Sequence, residues 1–171
     1  PQPAAGERQV GFLGYGELAA AAAKLLENIG FRTYGWSRRL GDLDTLLATS
    51  DIVVNLLPLT DRTRGILSAP AFERMKRGAA IINLARGAHL VEEDLIAALD
   101  AGQLSHAVLD VFEAEPLERK HPFWSHPQIT VTPHVAAITD PVSASAVIAA
   151  NIARFRAGQQ VEGLVNRKAG Y

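Results

Sequence analysis

The sequence predicts a doubly wound α/β fold, in which helices cover both faces of a parallel sheet. From Val10 onward, short apolar runs of strand length alternate with longer stretches of helical spacing. Glycine follows several of the helical stretches, where a chain most readily leaves a helix. Because crossovers between parallel strands are right-handed, this alternation places helices on both faces of one sheet.

Six strands and five helices are predicted, in alternation. The predicted strands are 10–13, 31–36, 51–57, 79–84, 107–111 and 129–132. The predicted helices are 17–29, 42–49, 69–75, 91–101 and about 141–157. Residues 1–9 hold two prolines and no apolar period, which indicates a linker. We therefore expect a single domain over 10–158, with a C-terminal tail over 159–171.

Composition narrows the classes of partner. The 171 residues are 48% hydrophobic but only 6% aromatic, so the core is expected to consist mainly of small and branched aliphatic side chains. Seventeen basic and eighteen acidic side chains give a net charge of −1, which argues against nucleic acid or an anionic membrane as partner. The absence of cysteine excludes disulfides and thiolate chemistry, and the histidines lack metal-ligand spacing. We expect a cytoplasmic protein without a metal.

A glycine motif follows the first strand. Gly14-Tyr15-Gly16-Glu17-Leu18-Ala19 has the form G-x-G-x-x-A and runs directly into a predicted helix. The first glycine permits a tight turn, the second lets the backbone approach a pyrophosphate, and alanine replaces the third, packing glycine. Since the motif lies between a strand and a helix, it predicts a dinucleotide site of the Rossmann type.

The end of the second strand predicts the cofactor. NAD-binding proteins place a carboxylate there for the adenosine ribose, but this sequence has Ser37-Arg38-Arg39. A hydroxyl and two guanidiniums suit a 2′-phosphate, which favours NADP(H), with NAD(H) still possible. In the alternative, the arginines are solvated and Asp42 binds the ribose.

Three later segments place polar residues at predicted strand ends, where ligands of open α/β sheets bind. They are Asn83-Leu84-Ala85-Arg86-Gly87, Asp110-Val111-Phe112-Glu113-Ala114-Glu115-Pro116 and Thr132-Pro133-His134-Val135-Ala136-Ala137. Together they resemble the D-isomer-specific 2-hydroxyacid dehydrogenase family, as does Asn55-Leu56-Leu57-Pro58. The segment at Ser37, the run 133–139 and the tail 167–171 are most similar to the glyoxylate/hydroxypyruvate reductase branch of that family.

The resemblance implies reduction of a small 2-keto acid with Arg86, Glu115 and His134 as catalytic residues. His134 is the expected general acid, Glu115 its hydrogen-bonded carboxylate, and Arg86 the ligand of the substrate carboxylate. Glu113 is the alternative to Glu115, and His134 could instead cap the last helix. The expected cofactor-binding residues are Gly14, Tyr15, Gly16, Glu17, Leu18, Ser37, Arg38, Arg39, Leu57, Pro58, Leu84, Ala85, Arg86, Asp110, His134, Ala136 and Ala137.

Members of this family also have a domain before the cofactor domain that closes over the substrate. We expect this chain to lack it, and therefore to bind cofactor but to turn over poorly alone. The resemblance further implies a homodimer. A cofactor-sensing corepressor with the same fold is the alternative function, and it would not reduce a keto acid.

Overall fold

The computed structural model describes residues 3–165 and residue 167, and the predicted α/β fold is confirmed within them. One six-stranded parallel sheet has the order β2-β1-β3-β4-β5-β6. Its strands are β1 (Gln9–Leu13), β2 (Arg32–Trp36), β3 (Ile52–Asn55), β4 (Ala79–Asn83), β5 (Leu104–Leu109) and β6 (Ile129–Val131). The helices are α1 (Glu17–Asn28), α2 (Leu43–Thr49), α3 (Ala69–Arg74), α4 (Glu92–Asp100) and α5 (Pro141–Arg156), with short 3-10 helices at Ala5–Glu7, Gly87–His89 and Pro122–Trp124.

The strand order creates a switch point beside β1. The chain goes from β1 outward to β2 and then returns to the other side of β1 to form β3. The loops after β1 and β3 therefore leave the sheet in opposite directions and open a crevice at its carboxyl edge. The glycine motif of residues 14–19 follows β1 and lies at this crevice.

Two apolar layers cover the two faces of the sheet. On one face Val10, Phe12 and Val54 pack with Ala19 and Ala23 of α1. On the other face α2, α3 and α4 contribute buried side chains to a larger cluster that includes Leu13, Val53, Ile81, Leu46, Phe72 and Leu95. Successive residues of a strand point to opposite faces, which is why these strands are apolar throughout.

Two strands differ from prediction in ways that matter for the site. β3 ends at Asn55, two residues early, so that Leu57 and Pro58 lie in the loop that follows. β5 spans Leu104–Leu109 instead of 107–111, because its first residues pair with Ala79 and Ala80 of β4 across a register shift. Asp110 therefore lies just beyond the strand.

The chain divides after His134 into two compact units. The first holds the sheet and α1 to α4, and the second holds α5. Asp140 caps α5 by accepting hydrogen bonds from the N–H groups of Val142 and Ser143. The linker, the domain over 10–158 and the tail stay predictions, and residues 1, 2, 166 and 168–171 of the linker and tail lie outside the described residues. No helix in the described range is long and apolar enough to span a membrane.

Candidate active site

The turn after β1 requires glycine at its first position. Gly14 has φ +91°, and its N–H donates to the carbonyl oxygen of Trp36 at 2.9 Å. A Cβ atom there would lie 2.9 Å from the Leu56 carbonyl carbon and from the Leu57 nitrogen. Since neither backbone can yield without moving a strand end, the side chain of any other residue would displace the loop after β3.

The start of α1 fits a dinucleotide phosphate. Gly16 is the N-cap residue and no side chain caps the helix, while a Cβ at Gly16 would meet no heavy atom within 4 Å. Glu17 and Leu18 are exposed in the first turn, and Ala19 is buried against the sheet. The first N–H groups of a helix lack intrahelical partners, and the open space beside Gly16 leaves room for a phosphate to accept from them. Tyr15 lies to one side, with its ring packed over Gly35.

The residues after β2 form a tight turn. The backbone N–H of Ser37 donates to the carbonyl oxygen of Leu40 at 2.8 Å, and the reverse bond measures 3.1 Å. The Ser37 hydroxyl oxygen accepts from the N–H of Arg39 at 3.3 Å, so its own hydrogen remains available to an acceptor. Arg38 and Arg39 are exposed on this turn. A hydroxyl donor and two guanidiniums thus lie together at the end of β2.

Asp42, the alternative ligand for the ribose, caps the helix α2. Its carboxylate accepts from the N–H of Thr45 at 2.7 Å as the N-cap of α2, and this hydrogen bond lowers the pKa of Asp42. Its own N–H donates to the hydroxyl oxygen of Tyr34 at 3.0 Å. Binding a ribose would compete with the cap, which favours Ser37 as the residue at the ribose end.

His134 and Glu115 form a hydrogen-bonded pair. His134 Nδ1 lies 2.7 Å from Glu115 Oε2, although 19 residues separate them. Glu115 Oε1 accepts from the N–H of Phe112 at 3.0 Å, so both carboxylate oxygens are held. The hydrogen bonds from His134 and from the Phe112 N–H, with the positive charges of His134 and Arg86, lower the pKa of Glu115. The carboxylate is therefore ionised at neutral pH and orients the imidazole.

His134 has an unusual backbone conformation for its residue type. Its φ is +54°, in the left-handed region, and it directly follows Pro133. α5 begins at Pro141 with Asp140 as its cap, so His134 does not cap that helix. Strained φ values persist where the surrounding structure over-determines them, often at functional sites. His134 has this conformation and at the same time pairs with Glu115.

Arg86 lies near the pair. Its loop follows β4, its side chain is exposed, and its guanidinium donates to the carbonyl oxygen of Ala85 at 2.6 Å. Its charge contributes to the lowered pKa of Glu115, which places the two groups within electrostatic range of each other. Glu113 is exposed, and among the described residues it has no hydrogen bond or ion pair. Of the two glutamates, Glu115 is the one that the structure brings to His134.

Asp110 is buried beside β6. It is 1% exposed, and the Thr132 hydroxyl donates to its Oδ1. Leu57 and Ala85 are buried in the loops after β3 and β4, and Pro58 and Leu84 are half-buried there. These predicted cofactor residues thus lie at the carboxyl edge of the sheet. Ala136 and Ala137 belong to the second unit.

Three buried or half-buried polar residues at this edge were not predicted as site residues. Asn55 and Asn83 are 0% exposed at the ends of β3 and β4, and their side chains bond each other. Thr132 holds Asp110 as described above. Asparagine at the end of a buried strand indicates a hydrogen-bonded position, because a buried amide must find partners. Nothing in the sequence indicated which groups those partners would be.

His89 is also buried, in the loop that carries Arg86. It is 0% exposed, and its Nε2 lies 3.3 Å from the carbonyl oxygen of Pro58. Burial is the largest cause of its lowered pKa, with the charges of Arg86 and Arg64 adding to the effect. No group of three or more potential metal ligands occurs in the described part of the chain.

Comparison with known proteins shows the family of the chain. A family model described as D-isomer specific 2-hydroxyacid dehydrogenase, NAD binding domain, matches residues 2–136. A Serratia proteamaculans protein named glyoxylate/hydroxypyruvate reductase A is 46% identical over 174 residues, covering 95% of this chain and 56% of the relative. The chain thus spans a little over half the length of the curated relatives it matches.

Solved structures of 40% identity or more have a similar fold. A D-isomer specific 2-hydroxyacid dehydrogenase of Xanthobacter autotrophicus Py2, in complex with NADPH and MES, has a TM-score of 0.94 at 43% identity, covering 99% of this chain and 75% of that one. An NADPH-dependent glyoxylate/hydroxypyruvate reductase of Sinorhizobium meliloti, in complex with NADP and sulfate, has a TM-score of 0.95 at 40% identity, covering 100% and 59%. The chain belongs to the D-isomer specific 2-hydroxyacid dehydrogenase family and carries its NAD-binding domain.

Proposed function

We propose that the whole protein is an NADPH-dependent reductase that converts a small 2-keto acid, such as glyoxylate or hydroxypyruvate, to a D-2-hydroxy acid. The observation that carries this proposal is the 2.7 Å contact between His134 Nδ1 and Glu115 Oε2, near Arg86. The names of the relatives from Serratia proteamaculans and Sinorhizobium meliloti support the substrate class. This chain would supply the cofactor site and all three predicted catalytic side chains.

The reduced nicotinamide supplies the hydride for the carbonyl carbon. His134 supplies the proton: with Nδ1–H donated to Glu115, the protonated ring keeps Nε2–H for the carbonyl oxygen. The Nε2 proton would pass to the carbonyl oxygen, where the C=O π pair would form the O–H bond of the new hydroxyl while carbon accepts the hydride. The neutral imidazole then regains a proton from solvent. Because the Glu115 carboxylate is ionised, it stabilises the protonated ring before transfer.

Arg86 would bind the substrate. Its fork of N–H donors matches a carboxylate in two parallel hydrogen bonds, so it can hold the keto acid with the carbonyl toward His134. The same charge would polarise the carbonyl bond. This role explains why the side chain is exposed at the carboxyl edge of the sheet instead of paired in the core.

For the cofactor we propose NADPH over NADH. Ser37 has a hydroxyl hydrogen to donate, Arg38 and Arg39 supply positive charge, and Asp42 is engaged as a helix cap. A carboxylate at the position of Ser37 would repel a 2′-phosphate, whereas these groups attract it. The Xanthobacter autotrophicus and Sinorhizobium meliloti structures contain NADPH and NADP, which supports the preference.

We also propose that the protein is a cytoplasmic homodimer. The family resemblance implies the dimer, and the exposed Leu25 of α1 and Ile29 just after this helix supply apolar surface that a second copy can cover. A cysteine-free composition suits a reducing compartment. Sedimentation velocity on the whole protein tests the dimer, which a monomer at micromolar concentration would contradict.

The test of the function is glyoxylate-dependent oxidation of NADPH by the whole protein. The His134→Ala variant should lower kcat by about 10²-fold or more, typical of lost acid–base catalysis. His106→Ala is a matched control. The His106 ring lies 2.9 Å from the Thr130 hydroxyl oxygen and has no predicted role in the site. Full turnover in His134→Ala would remove this residue from the mechanism. Separate titrations with NADPH and NADH test the cofactor, and tighter binding of NADH would contradict the preference.

A further inference from the structure

Two asparagines meet inside the sheet at the ends of adjacent strands. Asn55 and Asn83 are paired in the register of β3 and β4, and both are 0% exposed. Asn55 Nδ2 donates to Asn83 Oδ1 at 3.0 Å. Burying an amide costs free energy unless it is hydrogen-bonded, and an apolar pair would fill this place in the sheet without that cost. Packing alone therefore does not explain why two asparagines occupy this place in the sheet.

Each amide also holds the loop that follows its own strand. Asn55 Oδ1 accepts from the N–H of Leu57 at 3.2 Å. Asn83 Oδ1 accepts from the N–H of Ala85 at 3.3 Å, and Asn83 Nδ2 donates to the carbonyl oxygen of Arg86 at 3.1 Å. The first loop carries the predicted cofactor residue Leu57, and the second carries the predicted substrate ligand Arg86.

The bond between the two amides is thus a direct link between these loops. A second link lies farther along, where the His89 ring meets the carbonyl oxygen of Pro58 at 3.3 Å. Polar networks that are fully bonded inside a protein are rigid, and breaking one member loosens the others. A displacement of the loop after β3 would therefore pass to the backbone at Arg86.

We propose that the Asn55–Asn83 amide pair is a positioning unit that couples the cofactor loop to the Arg86 loop, so that bound NADPH raises the affinity of the site for the substrate carboxylate. The proposal rests on the proposed function and adds a coupling between its two ligands. Coupling of this kind is reciprocal: the carboxylate must raise the affinity for NADPH by the same factor.

The test measures that factor in the whole protein. Oxamate serves as the probe, because it carries the carboxylate of a 2-keto acid and is not reduced. The Kd of NADPH is measured by fluorescence titration without oxamate and at saturating oxamate, and the ratio is the coupling factor. We expect a ratio of about 5 or more in the wild type, the ordinary range for linked sites.

Two variants break the link in different ways. Asn55→Ala removes the amide, whereas Asn55→Ser keeps an oxygen that can accept from the Leu57 N–H but no longer reaches Asn83. Both should lower the ratio well below the wild-type value, with only the His89–Pro58 contact left between the loops, and Asn55→Ser should do so with less loss of stability. Asn55→Ala/Asn83→Ala should lower the ratio no further than Asn55→Ala alone, since the two side chains act as one unit.

Gln103→Ala is the matched control. Its amide holds the carbonyl oxygens of Phe72 and Met75 at 2.8 and 2.9 Å, next to the start of β5 at the opposite edge of the sheet. It should keep the wild-type ratio while lowering thermal stability. A folded Asn55→Ser or Asn55→Ala protein that keeps the wild-type ratio would overturn the proposal, as would a wild-type ratio of 1 in a protein that reduces glyoxylate. A wild-type protein that neither binds NADPH nor reduces glyoxylate would instead overturn the proposed function.

Discussion

The backbone of Gly87 lies directly against the backbone of Phe112. A Cβ atom on Gly87 would lie 1.9 Å from the carbonyl carbon of Phe112 and 2.2 Å from the nitrogen of Glu113. The loop after β4 and the loop after β5 can approach this closely only with glycine at position 87. Since Arg86 lies on one loop and Glu115 on the other, the contact sets the distance between two predicted catalytic residues.

Gly87→Ala should therefore damage the site more than the fold. We expect the free energy of unfolding to fall by about 1–3 kcal/mol, as for other overpacked positions. We expect kcat/KM for glyoxylate to fall about tenfold or more, because small displacements of catalytic groups are costly. Gly6→Ala is the control, since a Cβ there meets only the Gly30 carbonyl oxygen at 3.6 Å. Wild-type kinetics in Gly87→Ala would show that the loop contact does not position Arg86.

Glu115→Gln tests the charge that faces His134. The substitution keeps the size of the side chain but removes the carboxylate that accepts from Nδ1 at 2.7 Å. We expect kcat to fall by about 10²-fold, because the protonated imidazole loses its counter-charge and its orientation. Glu113→Gln is the matched control on the same loop and should retain wild-type kcat. Equal effects of the two substitutions would contradict the assignment of Glu115.

The same variant should change how stability depends on pH. The pKa of Glu115 is lowered in the folded protein, first by the hydrogen bond from His134, so the folded state binds a proton less readily than the unfolded chain. Its contribution to the free energy of unfolding is present in full above the pKa of the unfolded chain, and it is lost as the pH falls through the lower pKa of the folded protein. Urea unfolding of the wild type and of Glu115→Gln is measured between pH 7 and pH 3. The difference between their free energies of unfolding should shrink only in the acidic part of this range.

Thr132 should act through Asp110. Its hydroxyl donates to Oδ1 of this buried side chain, and the family resemblance implies that Asp110 accepts from the nicotinamide carboxamide, so Thr132 would orient a predicted cofactor ligand. Thr132→Val removes the donor at nearly constant volume, and Thr132→Ser retains it. We expect Thr132→Val to raise the Kd of NADPH severalfold and Thr132→Ser to restore it, as for the loss of one charge-assisted hydrogen bond. Similar Kd values for both variants would mean that only the shape of Thr132 matters.

His89 should make the fold sensitive to acid. Its pKa is lowered mainly by burial, so the unfolded chain binds a proton at a pH where the folded protein does not. Stability is therefore complete above the unfolded pKa, about 6.5, and falls as the pH drops below it. His89→Gln cannot take up this proton. We expect its unfolding free energy to change less than that of the wild type between pH 7 and pH 5, and equal slopes would contradict this account.

Hydrophobic pattern and glycine placement were enough to predict the fold. Strand β1, with the glycine motif behind it, and α1 from Glu17 were predicted almost to the residue, because a buried strand, a required turn and a helix start coincide there. The end of β3 was predicted two residues late. Leu56 and Leu57 continue the apolar run of the strand, but the turn bonded to Asn55 takes them out of the sheet.

The candidate site was less accessible to sequence reasoning. Glu115 and His134 were predicted from a family resemblance. Neither their hydrogen bond nor the left-handed φ of His134 could be predicted from the local sequence. The Asn55–Asn83 bond and the Thr132–Asp110 bond each join different strand ends. Such contacts arise only when the sheet has formed, so spacing along the chain does not predict them.

The turn at Ser37 bears on how members of this family could change their nucleotide preference. The bonds that close the turn come from the main chains of Ser37 and Leu40, so exchanging the side chain at 37 leaves the scaffold in place. Asp42, the nearest existing acid, is occupied in starting the next helix. A change of preference toward NADH would thus require a new substitution at position 37. Because that substitution leaves the turn intact, nucleotide preference can evolve independently of folding.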